Sequence, residues 1–360
     1  MKTVLPVNLS GKSYHIIIGA DLLPQIGAFL QPLKLGSKVL LATNPTVMSL
    51  YGKTVQRSLQ QAGFKVTVAE VPEGEEAKSL EQAGVLYDVM FNAGLDRKSP
   101  VIALGGGVVG DLAGFAAATY MRGVPFIQVP TTLLAQVDSS VGGKVAVNHP
   151  RGKNIIGAFY QPQLVLTDTK TLSTLDKRDV LSGLAEVIKA AVIRDERFFN
   201  WLEENIDRVL ALEEAALNRI IETSCQIKAR VVEEDETEQG VRAVLNYGHT
   251  VGHGVETLSG YGTYRHGEAV AMGMVAEARI AKELGLINRD VVQRIETLIA
   301  RTGLPTQLPG DLSPAELMAS MYKDKKVLDD TLTFALISNI GEAVIKKDVP
   351  EEVILAAVEC

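Results

Sequence analysis

The chain has 360 residues, 46% of them hydrophobic, with five histidines, two cysteines and a formal net charge of −7 at pH 7. The length favours two domains with separate cores, and the negative charge disfavours a nucleic acid or an anionic membrane surface as the main partner. Cys225 and Cys360 cannot form a disulfide framework or a thiolate metal site, and residues 1–10 lack the pattern of a secretory signal, so we expect a cytoplasmic setting.

The first half of the chain alternates short β-branched runs with helical patterns. Buried strands are predicted at residues 38–43, 64–69, 101–104, 126–129 and 164–167. Helices are predicted between them at residues 46–62 and 79–93. This alternation indicates βαβ units and a mostly parallel sheet, in which ligands collect at the carboxyl ends of the strands.

From about residue 175 the pattern changes to long amphipathic helices. They are predicted at residues 179–193, 196–206, 213–234, 267–284, 289–302 and 314–321, with one strand at 332–337. We therefore place an α/β domain at residues 1–176 and a mostly α-helical domain at residues 177–360. A cleft between two such domains is a natural place for a ligand.

A glycine-rich turn follows the strand predicted at residues 101–104. Gly105 to Gly110 match the G-x-G-x-x-G pattern, whose glycines let backbone amides approach a pyrophosphate at a helix N-terminus. The match departs from the common dinucleotide pattern, because Thr131 and Thr132 stand where an acidic residue is expected. Two interpretations are open: a dinucleotide site, or a tight turn in which the glycines only relieve crowding.

A polar segment with few acidic residues comes next. Residues 130–144 and 151–154 combine hydroxyl groups, glycines and basic side chains. Lysine and arginine pair with phosphate, and glycine keeps the backbone accessible, so the segment suits a phosphorylated ligand. An ordinary polar surface loop is the alternative.

Two charged residues, Glu186 and Lys189, lie three positions apart in an otherwise apolar predicted helix. Charges in such surroundings are costly unless they are paired or bound to a ligand. The pair therefore indicates either a binding site or an intrahelical ion pair at the edge of the helix.

Three of the five histidines, His249, His253 and His266, fall within eighteen residues. Imidazole is the commonest side-chain ligand of transition metals, so this concentration suggests a metal centre. His249 and His253 would share one face of a helix. A zinc peptidase is disfavoured, because Thr250 stands where the H-E-x-x-H motif requires glutamate.

Five segments in this order resemble the 3-dehydroquinate synthase family of sugar phosphate cyclases. They are Gly105-Gly-Gly-Val-Val-Gly-Asp, residues 130–144, Gly183-Leu-Ala-Glu-Val-Ile-Lys, Leu245-Asn-Tyr-Gly-His-Thr-Val-Gly-His and His266-Gly-Glu-Ala-Val. The resemblance implies an α/β domain with a mostly parallel, Rossmann-like sheet that binds NAD, and a mostly α-helical domain that binds metal and substrate. It also implies a lyase of the shikimate pathway that converts 3-deoxy-D-arabino-heptulosonate 7-phosphate into 3-dehydroquinate and phosphate. The implied steps are transient oxidation by NAD, phosphate elimination, re-reduction and aldol ring closure.

The same resemblance implies roles for particular residues. A zinc or cobalt ion would be held by Glu186, His249 and His266. NAD contacts would come from Asn44, Glu73, Gly74, Glu75, Lys78, Gly107, Val108, Val109, Gly110, Asp111, Thr131, Thr132, Lys144, Lys153, Thr171, Leu172, Ser173 and Thr174. Substrate contacts would come from Arg122, Asp138, Lys144, Lys189, Lys228, Arg242, Asn246, His253 and one of Lys325 and Lys326. A homodimer and a phosphosugar substrate are further expectations, with no nucleic-acid or membrane partner.

Other functions fit parts of the pattern. Another sugar phosphate cyclase would use the same cofactors on a heptulose 7-phosphate or on glucose 6-phosphate. A polyol or glycerol-phosphate dehydrogenase of related fold would instead accumulate NADH. A catalytically silent NAD-binding protein is disfavoured, because the charged groups that the chemistry needs are present.

Overall fold

A computed structural model describes residues 2–260, 262–323 and 332–359 of the chain. The chain divides into two compact units, the first formed by Met1–Leu175 with Leu217–Thr237 and the second by Asp176–Ala216 with Glu238–Cys360. The chain passes from the first unit to the second after Leu175, and residues 217–237, which the sequence analysis placed in the helical half, lie in the first unit. Across the described ranges, no helix has the length and apolar character needed to span a membrane.

The first unit is built on a seven-stranded sheet. Its strands and those of a separate hairpin are β1 (Thr3–Val7), β2 (Tyr14–Gly19), β3 (Lys38–Thr43), β4 (Lys65–Glu70), β5 (Val101–Gly105), β6 (Phe126–Pro130), β7 (Lys144–His149), β8 (Gly152–Phe159) and β9 (Leu164–Asp168). The spatial order of the sheet is β1-β2-β9-β6-β5-β3-β4. Only the β1–β2 pair in it is antiparallel, and β7 and β8 form the antiparallel hairpin.

Each predicted strand of the first half is present, with its ends within one residue of the prediction. Four further strands were not predicted. In β1, Pro6 interrupts the strand pattern and Val4 is exposed, as is common at the edge of a sheet. Most of β8 is exposed or half-buried, so it lacks the apolar alternation by which a strand is recognised.

Helices cover both faces of the central strands. The helices of this unit before residue 175 are α1 (Ile26–Leu30), α2 (Pro45–Val47), α3 (Lys53–Gln61), α4 (Leu80–Asn92) and α5 (Gly107–Thr119). Leu40 and Ala42 of β3 pack in one core with α4 and α5, whereas Val39 and Leu41 pack in the other with α1 and α3. Burial on both faces explains why β3 is a continuous apolar run.

The order of the parallel strands reverses beside β3. The chain passes from β3 to β4 at one edge and then returns to β5 on the other side of β3. The carboxyl ends of β3 and β5 therefore border a topological switch point, where open α/β sheets bind their ligands. Asn44 follows β3 there, and Gly106 follows β5.

The second unit is mostly helical. The remaining elements are α6 (Lys177–Arg194), α7 (Glu196–Leu210), α8 (Glu214–Glu234), α9 (His249–Leu258), α10 (His266–Glu283), α11 (Arg289–Thr302), α12 (Pro314–Lys323), β10 (Thr333–Asn339), β11 (Glu342–Lys347) and α13 (Glu351–Val358). All six helices predicted in this half are present, and α8 crosses the division between the units at Ala216. Helix α10 packs against α6, α9, α11, α13 and β10, so it forms the centre of this unit.

Candidate functional site

One carboxylate and two imidazoles meet in the second unit. They belong to Glu186 of α6, His249 of α9 and His266 of α10. The Nε2 atoms of His249 and His266 lie 3.6 Å and 3.5 Å from Oε1 of Glu186. One donor atom from each residue lies within 4.8 Å of the others. Two histidines and one carboxylate form a donor set that suits a catalytic zinc-type ion, because positions on the metal stay open for a substrate.

These residues are adjacent because α10 approaches its neighbours without intervening side chains. A Cβ atom on Gly267 would lie 2.0 Å from the carbonyl oxygen of Ser182 in α6, and one on Gly273 would lie 2.0 Å from the carbonyl oxygen of Gly248. The Gly267 amide also donates to Oγ of Ser182 at 2.9 Å. Glycine at these positions therefore allows the backbone contacts that place the two imidazoles beside α6.

Ion pairs join the first turns of α6 and α10. Arg178 donates to both carboxylate oxygens of Glu268, at 2.5 Å and 2.7 Å, and Nε of Arg265 lies 3.1 Å from Oδ1 of Asp179. Burial alone would raise the pKa of Glu268, but hydrogen bonds from Arg178 and from the Arg265 amide hold this pKa below its usual value. The carboxylate thus stays charged and keeps the two helix starts together.

The hydrogen bonds at Nδ1 orient both imidazoles. Nδ1 of His249 lies 3.1 Å from the carbonyl oxygen of Tyr247, which can only accept a proton, so this contact leaves Nε2 of His249 directed at Glu186. Nδ1 of His266 lies 3.3 Å from Oε1 of Glu256. Burial lowers the pKa of His266, but hydrogen bonds to Glu186 and Glu256 outweigh it and raise this pKa to about 10. Such outer contacts are typical of metal-binding histidines.

A second group of donor atoms shares His266 with the first. His253, Glu256 and His266 also bring one donor atom each within 4.8 Å of the others. The ring of His253 lies 5.4 Å from that of His249 and 6.2 Å from that of His266, measured between centroids. The sequence analysis did not single out Glu256, although it lies three residues after His253 and therefore on the same face of α9.

Glu186 forms an ion pair with Lys189 at an Oε2 to Nζ distance of 2.5 Å. The ion pair was one of two alternatives that the sequence left open, and it does not lie at an exposed edge, since both side chains are at most 4% exposed. Oε1 faces the imidazoles, whereas Oε2 faces the ammonium group. The same carboxylate can therefore serve as a metal ligand and hold the Lys189 side chain in place.

In the first unit, the predicted strand, glycine turn and helix are present as β5, Gly106 and α5. Gly105, Gly106, Gly107 and Gly110 do not have positive φ angles, so backbone conformation does not require them. A Cβ atom on Gly106 would lie 3.0 Å from Cγ2 of Thr132, and one on Gly110 would lie 2.9 Å from a side-chain oxygen of Gln128. Relief of crowding is therefore one role of this turn, and a dinucleotide role would be additional.

Buried Lys78 and half-buried Asp111 form an ion pair at this edge of the sheet. Nζ of Lys78 lies 2.6 Å from Oδ2 of Asp111 and 3.8 Å from Oε1 of Glu75. Burial raises the pKa of Asp111, although the positive charge of Lys78 opposes this. Three of the residues that the resemblance assigns to NAD are thus adjacent.

Other residues assigned to NAD hold the loops at the carboxyl edge of the sheet. Oδ1 of Asn44 accepts a hydrogen bond from the Val47 amide at 2.9 Å and so caps α2. The hydroxyl group of Tyr51 donates to the carbonyl oxygen of Thr171 at 3.1 Å and also contacts Oγ1 of Thr174. Tyr51 was not predicted as a site residue, and its sequence context contains no signal for this contact.

Lys228 of α8 pairs with Asp138 in the first unit. Its Nζ lies 2.6 Å from Oδ1 and 2.8 Å from the carbonyl oxygen of Asp138. Both residues are substrate contacts by the resemblance. Their pairing shows why residues 217–237 belong with the first unit, because α8 also bonds there through Cys225, whose thiol donates to the carbonyl oxygen of Gln136 at 3.2 Å.

We expect the thiol of Cys225 to be chemically inert in the folded protein. It is fully buried, and burial raises its pKa to about 12. At pH 8 the thiolate fraction would be about one in ten thousand, against roughly a quarter for a free cysteine. In a Cys360→Ser variant, a thiol reagent should therefore react on the order of 10³-fold more slowly with native than with unfolded protein. Equal rates would show that Cys225 is accessible.

The remaining predicted residues differ in exposure. Arg122 and Lys144 are exposed, and Arg122 has a φ angle of 66° in the left-handed region. In the second unit Arg242 is only 1% exposed, and Nδ2 of Asn246 donates to Oε1 of Glu238 at 3.3 Å. Lys153 is half-buried in β8. Lys325 and Lys326 lie outside the described residues.

The fold and the site define a class of protein: an α/β unit with a glycine turn at its switch point, and a helical unit with a candidate metal centre. The family models described as 3-dehydroquinate synthase N-terminal and C-terminal match residues 68–182 and 183–327. The chain belongs to the 3-dehydroquinate synthase family, as the sequence resemblance indicated.

A relative and two solved structures support this assignment. The 3-dehydroquinate synthase of Desulforamulus reducens is 60% identical over 352 residues, which cover 98% of each chain. A 2-deoxy-scyllo-inosose synthase, complexed with carbaglucose-6-phosphate, NAD⁺ and Co²⁺, is 26% identical with a TM-score of 0.90, and 99% of each chain is covered. The 2-epi-5-epi-valiolone synthase of Streptomyces hygroscopicus, with NAD⁺ and Zn²⁺ bound, is 29% identical with a TM-score of 0.89, covering 98% of this chain and 97% of the other. The predicted fold class is confirmed.

Proposed function

We propose that this chain converts 3-deoxy-D-arabino-heptulosonate 7-phosphate into 3-dehydroquinate and phosphate, with NAD and one zinc or cobalt ion as cofactors. The observation that carries the proposal is the meeting of Glu186, His249 and His266, with both Nε2 atoms within 3.6 Å of the same carboxylate oxygen. Relatives named 3-dehydroquinate synthase, and structural neighbours with NAD⁺ and Co²⁺ or Zn²⁺, support it.

The proposed metal ligands are Glu186, His249 and His266, and their donor set fits the ion. When bound, the metal would act as a Lewis acid toward a substrate oxygen. Nδ1 of each imidazole is hydrogen-bonded to an oxygen of the protein, so that Nε2 is directed at Glu186. Lys189 supplies a buried positive charge beside the same carboxylate.

We assign NAD binding to the first unit. The proposed contacts at the switch point are the residues after β3 and β5, together with the ion pair of Lys78 and Asp111. Bound NAD would accept a hydride and return it later in the same cycle. The protein itself would orient the NAD. Hydrogen bonds of Asn44 and Tyr51 hold the loops that would contact it.

Basic side chains are the proposed contacts of the substrate's phosphate and carboxylate groups. They include Lys144, Lys189, Lys228 and Arg242. Positive charge around the leaving phosphate favours the charge that builds on it during elimination. Asp138 would hold the Lys228 ammonium group in position through their 2.6 Å contact.

We also propose a cellular location, an oligomeric state and a class of ligand. A cytoplasmic location rests on the cysteine usage of the sequence and a homodimer on the family resemblance, and a phosphosugar ligand is supported by the carbaglucose-6-phosphate in the complex of the neighbouring synthase. Size-exclusion chromatography with light scattering measures the number of chains directly.

The function is tested by incubating the purified protein with the heptulosonate phosphate, a catalytic amount of NAD, and Co²⁺ or Zn²⁺. We expect phosphate and 3-dehydroquinate in equal amounts, with no lasting NADH absorbance. Sustained NADH accumulation would instead identify a dehydrogenase. Turnover of glucose 6-phosphate, but not of the heptulosonate phosphate, would identify a different sugar phosphate cyclase.

A further inference from the structure

Glu277 of α10 is a fully buried carboxylate that the sequence analysis did not single out. Its Oε2 accepts a hydrogen bond from the Gly248 amide at 2.7 Å. Its Oε1 accepts hydrogen bonds from the amides of Thr250 at 3.1 Å and Val251 at 3.2 Å. A buried carboxylate is costly without such partners, and bonds to a charged acceptor are among the strongest in proteins.

These three amides belong to the start of α9. The first amides of a helix lack partners within the helix and are usually satisfied by a side chain at the preceding residue. That residue is Gly248, which has a φ angle of 79° and no side-chain oxygen. Glu277 therefore caps α9 from a neighbouring helix, and its negative charge also suits the positive end of the helix dipole.

His249 lies inside the segment that Glu277 holds. It is the first residue of α9, with one bonded amide before it and two after it. The same helix α10 begins with His266. Helix α10 thus carries both the His266 imidazole and the Glu277 carboxylate, and that carboxylate fixes the backbone around His249.

We propose that Glu277 is a positioning residue of the metal centre, which sets the place of the His249 imidazole relative to His266. The inference rests on the proposed metal role of His249. Both carboxylate oxygens of Glu277 are engaged by the amides of residues 248–251, so it acts through that backbone.

Replacement of Glu277 by glutamine is a sharp test, because all three partners are donors. Oε1 receives two hydrogen bonds and Oε2 receives one, so an amide NH₂ group at either position would face an N–H group. At least one hydrogen bond is lost at nearly constant volume. Loss of an outer contact of this kind typically weakens metal binding by about 10-fold to 100-fold.

The experiment titrates Co²⁺ into metal-free full-length protein and records the visible absorption spectrum. For Glu277→Gln we expect the Co²⁺ dissociation constant to rise by about 10-fold to 100-fold, with an altered spectrum. The turnover number should fall while the Michaelis constant for NAD stays near that of the wild type. The matched control is Glu203→Gln in α7, which removes a carboxylate bound by Arg294 within the same unit. This control should lower the melting temperature but keep the wild-type Co²⁺ spectrum.

Wild-type Co²⁺ affinity and spectrum in a folded Glu277→Gln protein would overturn the inference. If that variant does not fold, the same titration is made on Glu277→Asp, whose shorter side chain keeps the charge but cannot reach all three amides. An unchanged Co²⁺ spectrum in that variant would also overturn it. Failure of the wild type to bind Co²⁺ would refute the proposed function itself, which is a distinguishable result.

Discussion

The His249→Ala variant is expected to lose its bound metal and at least about 10³-fold in turnover, because Lewis-acid stabilisation contributes several kcal/mol to such reactions. His249 supplies one of the three donor atoms, and two remaining donors hold a divalent ion poorly. Its side chain is only 13% exposed, and when it is removed Glu186 keeps its ion pair with Lys189. We therefore expect the variant to fold, and its metal content is measured by inductively coupled plasma mass spectrometry.

The matched control is His253→Ala, one turn further along the same helix. Because His253 is a proposed substrate contact, this variant should lose activity while it retains a full complement of metal. Equal metal content in the two variants would contradict the assignment of His249 as a ligand. Glu186 is a less suitable target, since its removal would leave the buried Lys189 charge without its carboxylate partner and destabilise the fold.

The Gly267→Ala variant is expected to lose about 3 kcal/mol of unfolding free energy, together with its metal. The added Cβ atom would lie 2.0 Å from the carbonyl oxygen of Ser182, and backbone atoms cannot move aside as a flexible side chain can. Helix α10 must then shift away from α6, which separates His266 from Glu186. Calorimetry should show a fall in melting temperature of roughly 6–12 °C for a unit of this size.

Gly84→Ala is the matched control for that substitution. Gly84 also lies within a helix, α4, but a Cβ atom there would have no atom within 4 Å. Alanine is the better helix former, so this variant should gain up to about 1 kcal/mol. A Gly267→Ala protein as stable as the wild type would show that α6 and α10 do not need their backbone contact.

The sequence predicted the parts of the fold in which the local pattern and the tertiary surroundings agree. Strands β3, β5, β6 and β9 are apolar because both faces of the sheet are covered, and turn residues bound each of them. The pattern of α8 predicts an apolar face but not the segment that this helix packs against. In the structure that segment contains Gln136 and Asp138, which Cys225 and Lys228 contact.

The candidate site was predictable only in part. From the residues alone, the three histidines suggested a metal centre, and their spacing favoured His249 and His253 as a pair on one face of a helix. The resemblance to a family was needed to assign Glu186 to the metal, because α7 and α8 separate it from His249 in the chain. Glu256 and Glu277 were missed because their roles depend on how α9 and α10 cross, and that crossing is set by Gly248 and Gly273.

The most direct test of the central claim is an anomalous difference map from a crystal grown with Co²⁺. His266 belongs to both donor groups, so the position of the ion decides between them. The account predicts one peak within bonding distance of Glu186, His249 and His266. A peak bound instead by His253, Glu256 and His266 would contradict it.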